Sequence, residues 1–262
     1  MNWDKRILSL KRINIKKELF FEGFCAKIIT VDFLKTEDVM IRAVLFDMDG
    51  TVFDTERYYF ECLAEAASGT KLEQDLSEVL IHISGMNRQD IYAYLHKRYG
   101  EDFPAEALFD ARDRRVIRRI REEGLPFKAG FPKVFEDLRK MGILITLATS
   151  THRERMEWYL EMTDLTHAFD SIMTGESVEH SKPAPDIFLQ GAEKVGCKPE
   201  ECVVVEDSRN GVLAGVRAKM KVVMVPDMQP ATPDLRELLW QCLPTIEALP
   251  ALIAKENEMN KG

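Results

Sequence analysis

Asp47 and Asp49 lie two residues apart, directly after a short apolar run. On an extended backbone that spacing turns both carboxylates to the same side. A pair so placed could divide the work of phosphoryl transfer. One carboxylate attacks phosphorus and forms an aspartyl-phosphate. The other protonates the leaving alcohol and later takes a proton from the attacking water. Two further polar groups, Thr149 with Ser150 and Glu206 with Asp207, also follow apolar runs. Ligands of open α/β sheets sit at the carboxyl ends of the strands, so the three groups would meet there. Converging carboxylates repel one another unless a cation lies between them, and an oxygen-only ligand set suits Mg²⁺. A lone DxDG sequence is also compatible with a simple turn after a strand. The acidic and hydroxyl residues expected at neighbouring strand ends tip the balance towards chemistry.

The elements that must position these residues are legible as alternating patterns. Ile41–Phe46, Gly142–Ala148, Cys202–Val205 and Lys221–Val225 are short apolar runs of the kind buried in a parallel sheet. Helical patterns at Lys133–Met141, Arg153–Met162, Asp186–Val195 and Asn210–Lys219 fill the gaps between them. Strands alternating with helices predict right-handed crossovers and an α/β fold with a doubly wound parallel sheet. The stretch 56–124 breaks the rhythm. It offers only helical runs, Tyr58–Ala67, Glu73–His82, Arg88–Tyr99 and Ala105–Glu123, and is expected to form a smaller all-helical cap domain. The remainder divides into an extension at 1–39, a catalytic core at 40–55 and 125–248, and a tail at 249–262. The first 39 residues read either as an appended arm or as sequence upstream of a natural start at Met40, and the second reading is preferred. Ile28–Leu34 could form a short strand within that segment.

Composition narrows the function classes. The 262 residues are 45% hydrophobic and 31% charged, as in an ordinary globular protein. The net charge of −8 argues against general nucleic-acid binding, which needs a basic footprint. A phosphorylated substrate is still compatible with it, because a metal and one lysine reverse the sign locally. Five scattered cysteines without a CxxC pair argue against a disulfide framework or zinc site and favour a reducing cytoplasm. No stretch reaches the roughly 20 apolar residues of a membrane span. A monomer is the expected state.

Asp47-Met48-Asp49-Gly50-Thr51, Thr149, Lys182-Pro183 and Glu206-Asp207-Ser208 occur in the order and spacing of the four motifs of the haloacid dehalogenase (HAD) superfamily. The chain resembles, within it, the β-phosphoglucomutase-like phosphatases with a helical cap, over about residues 41–226. The resemblance implies a HAD-like core and assigns roles. Asp47 would be nucleophile and Mg²⁺ ligand, Asp49 the acid/base with its carbonyl on the metal, and Asp207 a third ligand. Glu206 would bind the metal directly or through water. Thr149, Ser150 and backbone amides after Asp47, Gly50 among them, would hold phosphoryl oxygens. Lys182 would neutralise charge on nucleophile and phosphate. Physics is consistent with each role, since phosphoryl transfer needs positioning and charge stabilisation above all.

The helical segment, lying between the first two motifs, would then close over the sheet and exclude water. Gly85-Met86-Asn87-Arg88-Gln89-Asp90 resembles the family's specificity loop, where Arg88 could bind a second anionic group. Asp54, Thr55, Glu56 and Arg57 would sit at the first hinge and line the entrance, with Thr55 among the substrate-binding residues. Each assignment has a bland counterpart. Thr149 and Ser150 could cap a helix, Lys182 could be a solvated loop residue, and Glu206 could sit outside the ligand set. Arg88 could be an ordinary surface arginine, and the arginine run 112–121 a solvated face. Tyr59 stands where the mutase pattern places a histidine, which lowers the mutase reading. The expected function is therefore Mg²⁺-dependent hydrolysis of a small phosphorylated metabolite, a sugar phosphate or nucleotide. A phosphomutase and an idle binding protein on the same scaffold are the alternatives.

Overall fold

The computed structural model describes residues 39–83 and 88–260. In chain order its principal elements are β1 (Ala43–Phe46), α1 (Thr55–Ala67), α2 (Leu76–Ile83), α3 (Arg88–Tyr99), α4 (Ala105–Glu123) and α5 (Phe131–Lys140). There follow β2 (Leu144–Thr149), α6 (Arg153–Met162), β3 (Ser171–Thr174), α7 (Asp186–Lys194), β4 (Cys202–Glu206) and α8 (Arg209–Arg217). The chain closes with β5 (Lys221–Met224), α9 (Pro233–Arg236), β6 (Gln241–Cys242) and α10 (Leu249–Met259). The strands form one parallel sheet in the order β3-β2-β1-β4-β5-β6.

β1 shows why the sheet is covered on both sides. Successive strand residues point to opposite faces. Val44 and Phe46 pack with α5, α6 and α10, while Ala43 and Leu45 pack with α7 and α8. All four are fully buried. The four central strands occupy the predicted positions. The two edge strands were not foreseen, because Ser171–Thr174 and Gln241–Cys242 are too short and too polar to stand out from loops. The stretch expected as a tail from 249 onward is instead α10, whose Leu249 and Ile253 are buried in the core. Asn257 of α10 brackets the start of the sheet, accepting from Ile41 N at 2.6 Å and donating to Ile41 O at 2.9 Å. The possible strand at 28–34 and the Met40 question concern residues largely outside the described range.

Between β1 and β2 the described chain is helical, and this insert has its own apolar centre. Leu63, Leu72, Val79, Leu95, Leu108 and Phe109 are buried together there. Its two connections to the sheet run side by side. Phe53 bridges Asp49 on one side and Phe127 on the other, and Asp54 N donates to Pro126 O at 2.9 Å. Tyr58, Cys62, Val116 and Ile120 root the insert in the main core. Among the described residues no helix is long and apolar enough to cross a membrane.

Phe131, at the start of α5, is 1% exposed and meets Phe46 edge-on at 5.5 Å between centroids. Truncating a buried phenylalanine removes its transfer energy and leaves a cavity. Phe131→Ala is expected to cost about 3–5 kcal/mol in equilibrium urea unfolding. A loss under about 1 kcal/mol would show that this part of the core collapses around the deletion.

Candidate active site

The end of β1 meets the end of β4 because the two strands are neighbours in register, Phe46 opposite Val205. Asp47 N continues the ladder by donating to Val205 O at 3.0 Å. The carboxylates of Asp47, Glu206 and Asp207 offer oxygens that lie within 4.8 Å of one another, all buried. Lys182, from the loop before α7, reaches into this group with a side chain only 5% exposed. Its ammonium donates to Asp47 Oδ1 at 2.5 Å, Glu206 Oε1 at 2.8 Å and Ala148 O at 2.9 Å. Burial pulls the Lys182 ammonium towards neutrality, but the Asp47 and Glu206 charges outweigh it and hold the pKa above the ordinary lysine value.

Glu206 is fully occupied by donors. Its Oε2 accepts from Asp207 N (3.1 Å), Ser208 N (3.0 Å) and Ser208 Oγ (2.9 Å). Gly211, on the first turn of α8, leaves the room for it: a methyl there would overlap the Glu206 carboxyl. Gly215, one turn later, lets α8 lie flat on β4 and β5, since a Cβ would stand 2.7 Å from Val222 and 3.2 Å from Val204.

Among the described residues the Asp207 carboxylate has no such partner. Burial and the surrounding carboxylates of Glu206, Asp47, Glu56 and Asp227 push its pKa well above the usual range. Burial likewise raises Asp47, with Lys182 offsetting it and Glu206 adding to it. Among the described residues the one ammonium in the cluster, that of Lys182, is already shared by Asp47 and Glu206. A hard divalent cation fits this charge deficit and this donor set.

Gly50 follows with φ +80°, a left-handed conformation that favours glycine, and a Cβ there would stand 2.5 Å from Asp207 Oδ2. The turn is closed by Gly50 N donating to Phe53 O at 2.8 Å. The Asp49 carboxylate is engaged by two hydroxyls. Its Oδ1 accepts from Thr55 Oγ1 and its Oδ2 from Thr151 Oγ1, each at 2.7 Å. Thr55 was expected to line an entrance; it is fully buried and its hydroxyl is engaged with Asp49. Thr149 is buried at the end of β2, its Oγ1 accepting from Thr151 N at 3.0 Å. Ser150 is exposed beside it.

A cleft of about 1110 Å³ opens from Ser150 and Thr151, between the insert and α6. Arg88 stands on its wall, away from the carboxylate cluster, with Nη2 donating to Asp113 Oδ2 at 2.5 Å. Residues 85–87 of the expected specificity loop lie outside the described residues. The arginine run of α4, read as a solvated face, is not one at Arg112. That guanidinium is half-buried, donates through Nε and Nη2 to Asp113 Oδ1 (2.9 and 2.7 Å), and stacks on Tyr59 at 4.9 Å. Tyr59 OH accepts from Arg155 Nη1 at 2.6 Å and lies 3.4 Å from Tyr159 OH. Thr151, Arg112, Asp113 and Arg155 were not singled out from sequence. Thr151 is the third hydroxyl of Thr149-Ser150-Thr151, and Asp113 is a lone acid set among arginines; both signals were available.

The sequence over residues 44–225 matches the family described as haloacid dehalogenase-like hydrolase. A phosphorylated carbohydrates phosphatase of Thermotoga maritima is 33% identical over 189 residues, 68% of this chain and 82% of that protein. Hexitol phosphatase B of Escherichia coli K12 is 28% identical over 188 residues, covering 71% and 84%. Among solved structures, a HAD family hydrolase from Deinococcus radiodurans with bound phosphate and sodium superposes with a TM-score of 0.70 at 27% identity, covering 83% of this chain and 97% of that one. With the motif residues at the ends of β1, β2 and β4 and the family match spanning most of the sheet, the chain belongs to the haloacid dehalogenase-like hydrolases.

Proposed function

We propose that the protein is a Mg²⁺-dependent phosphatase of small phosphorylated carbohydrates that works through phospho-Asp47. The observation that carries this reading is the buried group of Asp47, Asp207 and Glu206, in which the Lys182 ammonium engages Asp47 and Glu206 and leaves Asp207 for a cation. Names of relatives that act on hexitol and carbohydrate phosphates support the substrate class. Asp47, Asp207 and the carbonyl of Asp49 are the residues that would hold the metal. When bound, the cation neutralises the carboxylates and the charge on the transferring group.

Asp47 attacks phosphorus as the bond to the sugar oxygen breaks, and Asp49 delivers the proton that oxygen needs. Asp49 then takes a proton from water, the water oxygen attacks phosphorus, and the Asp47–phosphorus link breaks to release phosphate. Thr55 and Thr151 aim the Asp49 carboxylate by one hydrogen bond to each oxygen. Lys182 bridges the nucleophile and the phosphoryl oxygens. Glu206, its oxygens already taken, acts by fixing Lys182 and the turn at Asp207–Ser208. Thr149, Ser150 and the amides of the turn at Gly50 receive the phosphoryl oxygens. The helical insert serves as the cap that excludes water.

Water, rather than a second sugar hydroxyl, is the acceptor on this reading. At the position of the mutase histidine stands Tyr59, whose phenol is held neutral by burial, with Asp49 adding to it, and is engaged by Arg155. With Mg²⁺ and hexitol or hexose monophosphates, stoichiometric release of inorganic phosphate is expected. Chelation is expected to abolish it and Mg²⁺ to restore it. Isomer formation outpacing phosphate release would replace this reading with a mutase. Silence across a broad panel of phosphate esters would leave a binding protein.

A further inference from the structure

The two oxygens of Asp227, in the loop after β5, are treated unequally. Oδ1 accepts from the Lys128 ammonium at 2.6 Å. Oδ2 is buried and, among the described residues, has no donor. Buried side-chain acceptors are nearly always satisfied, and an orphan marks a place for a water or an ion. This one borders the carboxylate cluster. A Cβ built on Gly50 would stand 2.5 Å from Asp207 Oδ2 and 3.3 Å from Asp227 Oδ2, so both oxygens line the one space that Gly50 leaves open. Among the described residues neither nearby ammonium donates into that space. Lys182 serves Asp47, Glu206 and Ala148 O, and Lys128 serves Asp227 Oδ1.

The position is built from two sides. Val225 N donates to Glu206 O at 2.8 Å, so the chain leaving β5 is still registered on β4 just before Asp227. Pro226 then fixes φ of the link. Lys128 sits on the crossing by which the helical insert returns to the sheet, its N donating to Val52 O at 2.8 Å. Its ammonium also lies 3.6 Å from Asp54 Oδ1, but Arg57 takes the other oxygen of Asp54 at 3.0 Å, which leaves Lys128 chiefly to Asp227. Asp227 is felt by its neighbours. Burial, then Glu206, Asp47, Glu56 and Asp227, hold the Asp207 carboxyl up. Burial, then Asp49 and Asp227, push Glu56 up to about 7 against Arg112 and Lys128. Carboxylate oxygens bordering one small space need donors or a cation between them. Mg²⁺ keeps several waters when it binds, and such waters are O–H donors of the kind Asp227 Oδ2 lacks.

Resting on the Mg²⁺ site of the reading above, we propose that Asp227 is a positioning residue for the metal, its Oδ2 accepting from water held on the cation at Asp47 and Asp207. Lys128 occupies Oδ1 and so keeps Oδ2 turned to the cluster. Residues that touch a metal only through its other ligands still set its affinity, by about 10- to 100-fold.

The test is Mg²⁺ binding to the full-length protein by calorimetry, without substrate. Asp227→Asn keeps the size of the side chain and removes its charge, and is expected to raise Kd for Mg²⁺ about 10- to 100-fold. The Mg²⁺-induced rise in melting temperature, taken against each protein's own metal-free value, should shrink in step. That difference sets aside any stability lost with the Lys128 ion pair. Asp54→Asn removes the other acid beside the same lysine and is expected to stay within about threefold of the parent. Asp227→Ser carries the measurement should the amide variant fail to fold. An affinity of Asp227→Asn within about threefold of the parent would overturn the proposal and leave a structural ion pair. Equal weakening in Asp54→Asn would overturn it too, since net charge rather than position would then be at work. A parent that binds no Mg²⁺ would remove the metal reading and this proposal together. Weakened binding in Asp227→Asn, with no phosphate release by the parent, would keep the proposal and remove the phosphatase reading.

Discussion

Asp47→Asn is expected to lower phosphate release by at least about 10³-fold while leaving the fold intact. The amide nearly matches the carboxylate in volume but is a poor nucleophile and carries no charge for a metal. Stability supplies an independent check. Burial, offset by Lys182 and reinforced by Glu206, raises the native pKa of Asp47 above its unfolded value. A raised carboxyl pKa means that the native state disfavours the charged form, so ionised Asp47 lowers stability at neutral pH. The metal-free variant should therefore melt no lower than the metal-free parent. Turnover near the parental value in steady-state assays, or a phosphorylated adduct still found at intact mass, would remove Asp47 from the role of nucleophile.

Gly211→Ala is expected to cost about 10²-fold in kcat and about 1–3 kcal/mol in stability, although residue 211 is not itself placed in the reaction. The added methyl would occupy the space of the Glu206 carboxyl. A flexible side chain could swing aside, but Glu206 is fixed by Lys182, by two backbone amides and by the Ser208 hydroxyl. Either α8 lifts from the sheet or Glu206 leaves and releases one of the three partners of Lys182. Both displace the ammonium beside Asp47. Steady-state kinetics and urea denaturation check the two effects, and a variant with parental kcat would show that Glu206 is free to move.

The parallel sheet and the family were legible because the central strands announce themselves. Runs such as Ala43–Phe46 and Cys202–Glu206 are apolar on both faces and end in acids, and the residues at those ends are brought together as adjacency of β1 and β4 requires. Edge strands carry no such mark, since one side of an edge meets solvent or loop. The direction of a surface-like side chain was also hidden. Arg112 sits in a run of arginines, and only the packing of α1 against α4 turns it towards Tyr59 rather than water. Thr55 illustrates a different limit: hydroxyl chemistry at a hinge was readable, but its partner, Asp49, depends on a turn whose geometry Gly50 sets.

The paired crossings at Phe53 and Phe127 have a consequence for ancestry and for engineering. A segment that leaves and rejoins its host at one spot contributes no backbone to strand order, so it can lengthen, shorten or be exchanged while the carboxylate machinery beneath stays as it was. Grafting the corresponding helices of another such hydrolase between those two phenylalanines, with Thr55 kept at the start of the first helix to hold Asp49, would then transplant a substrate preference.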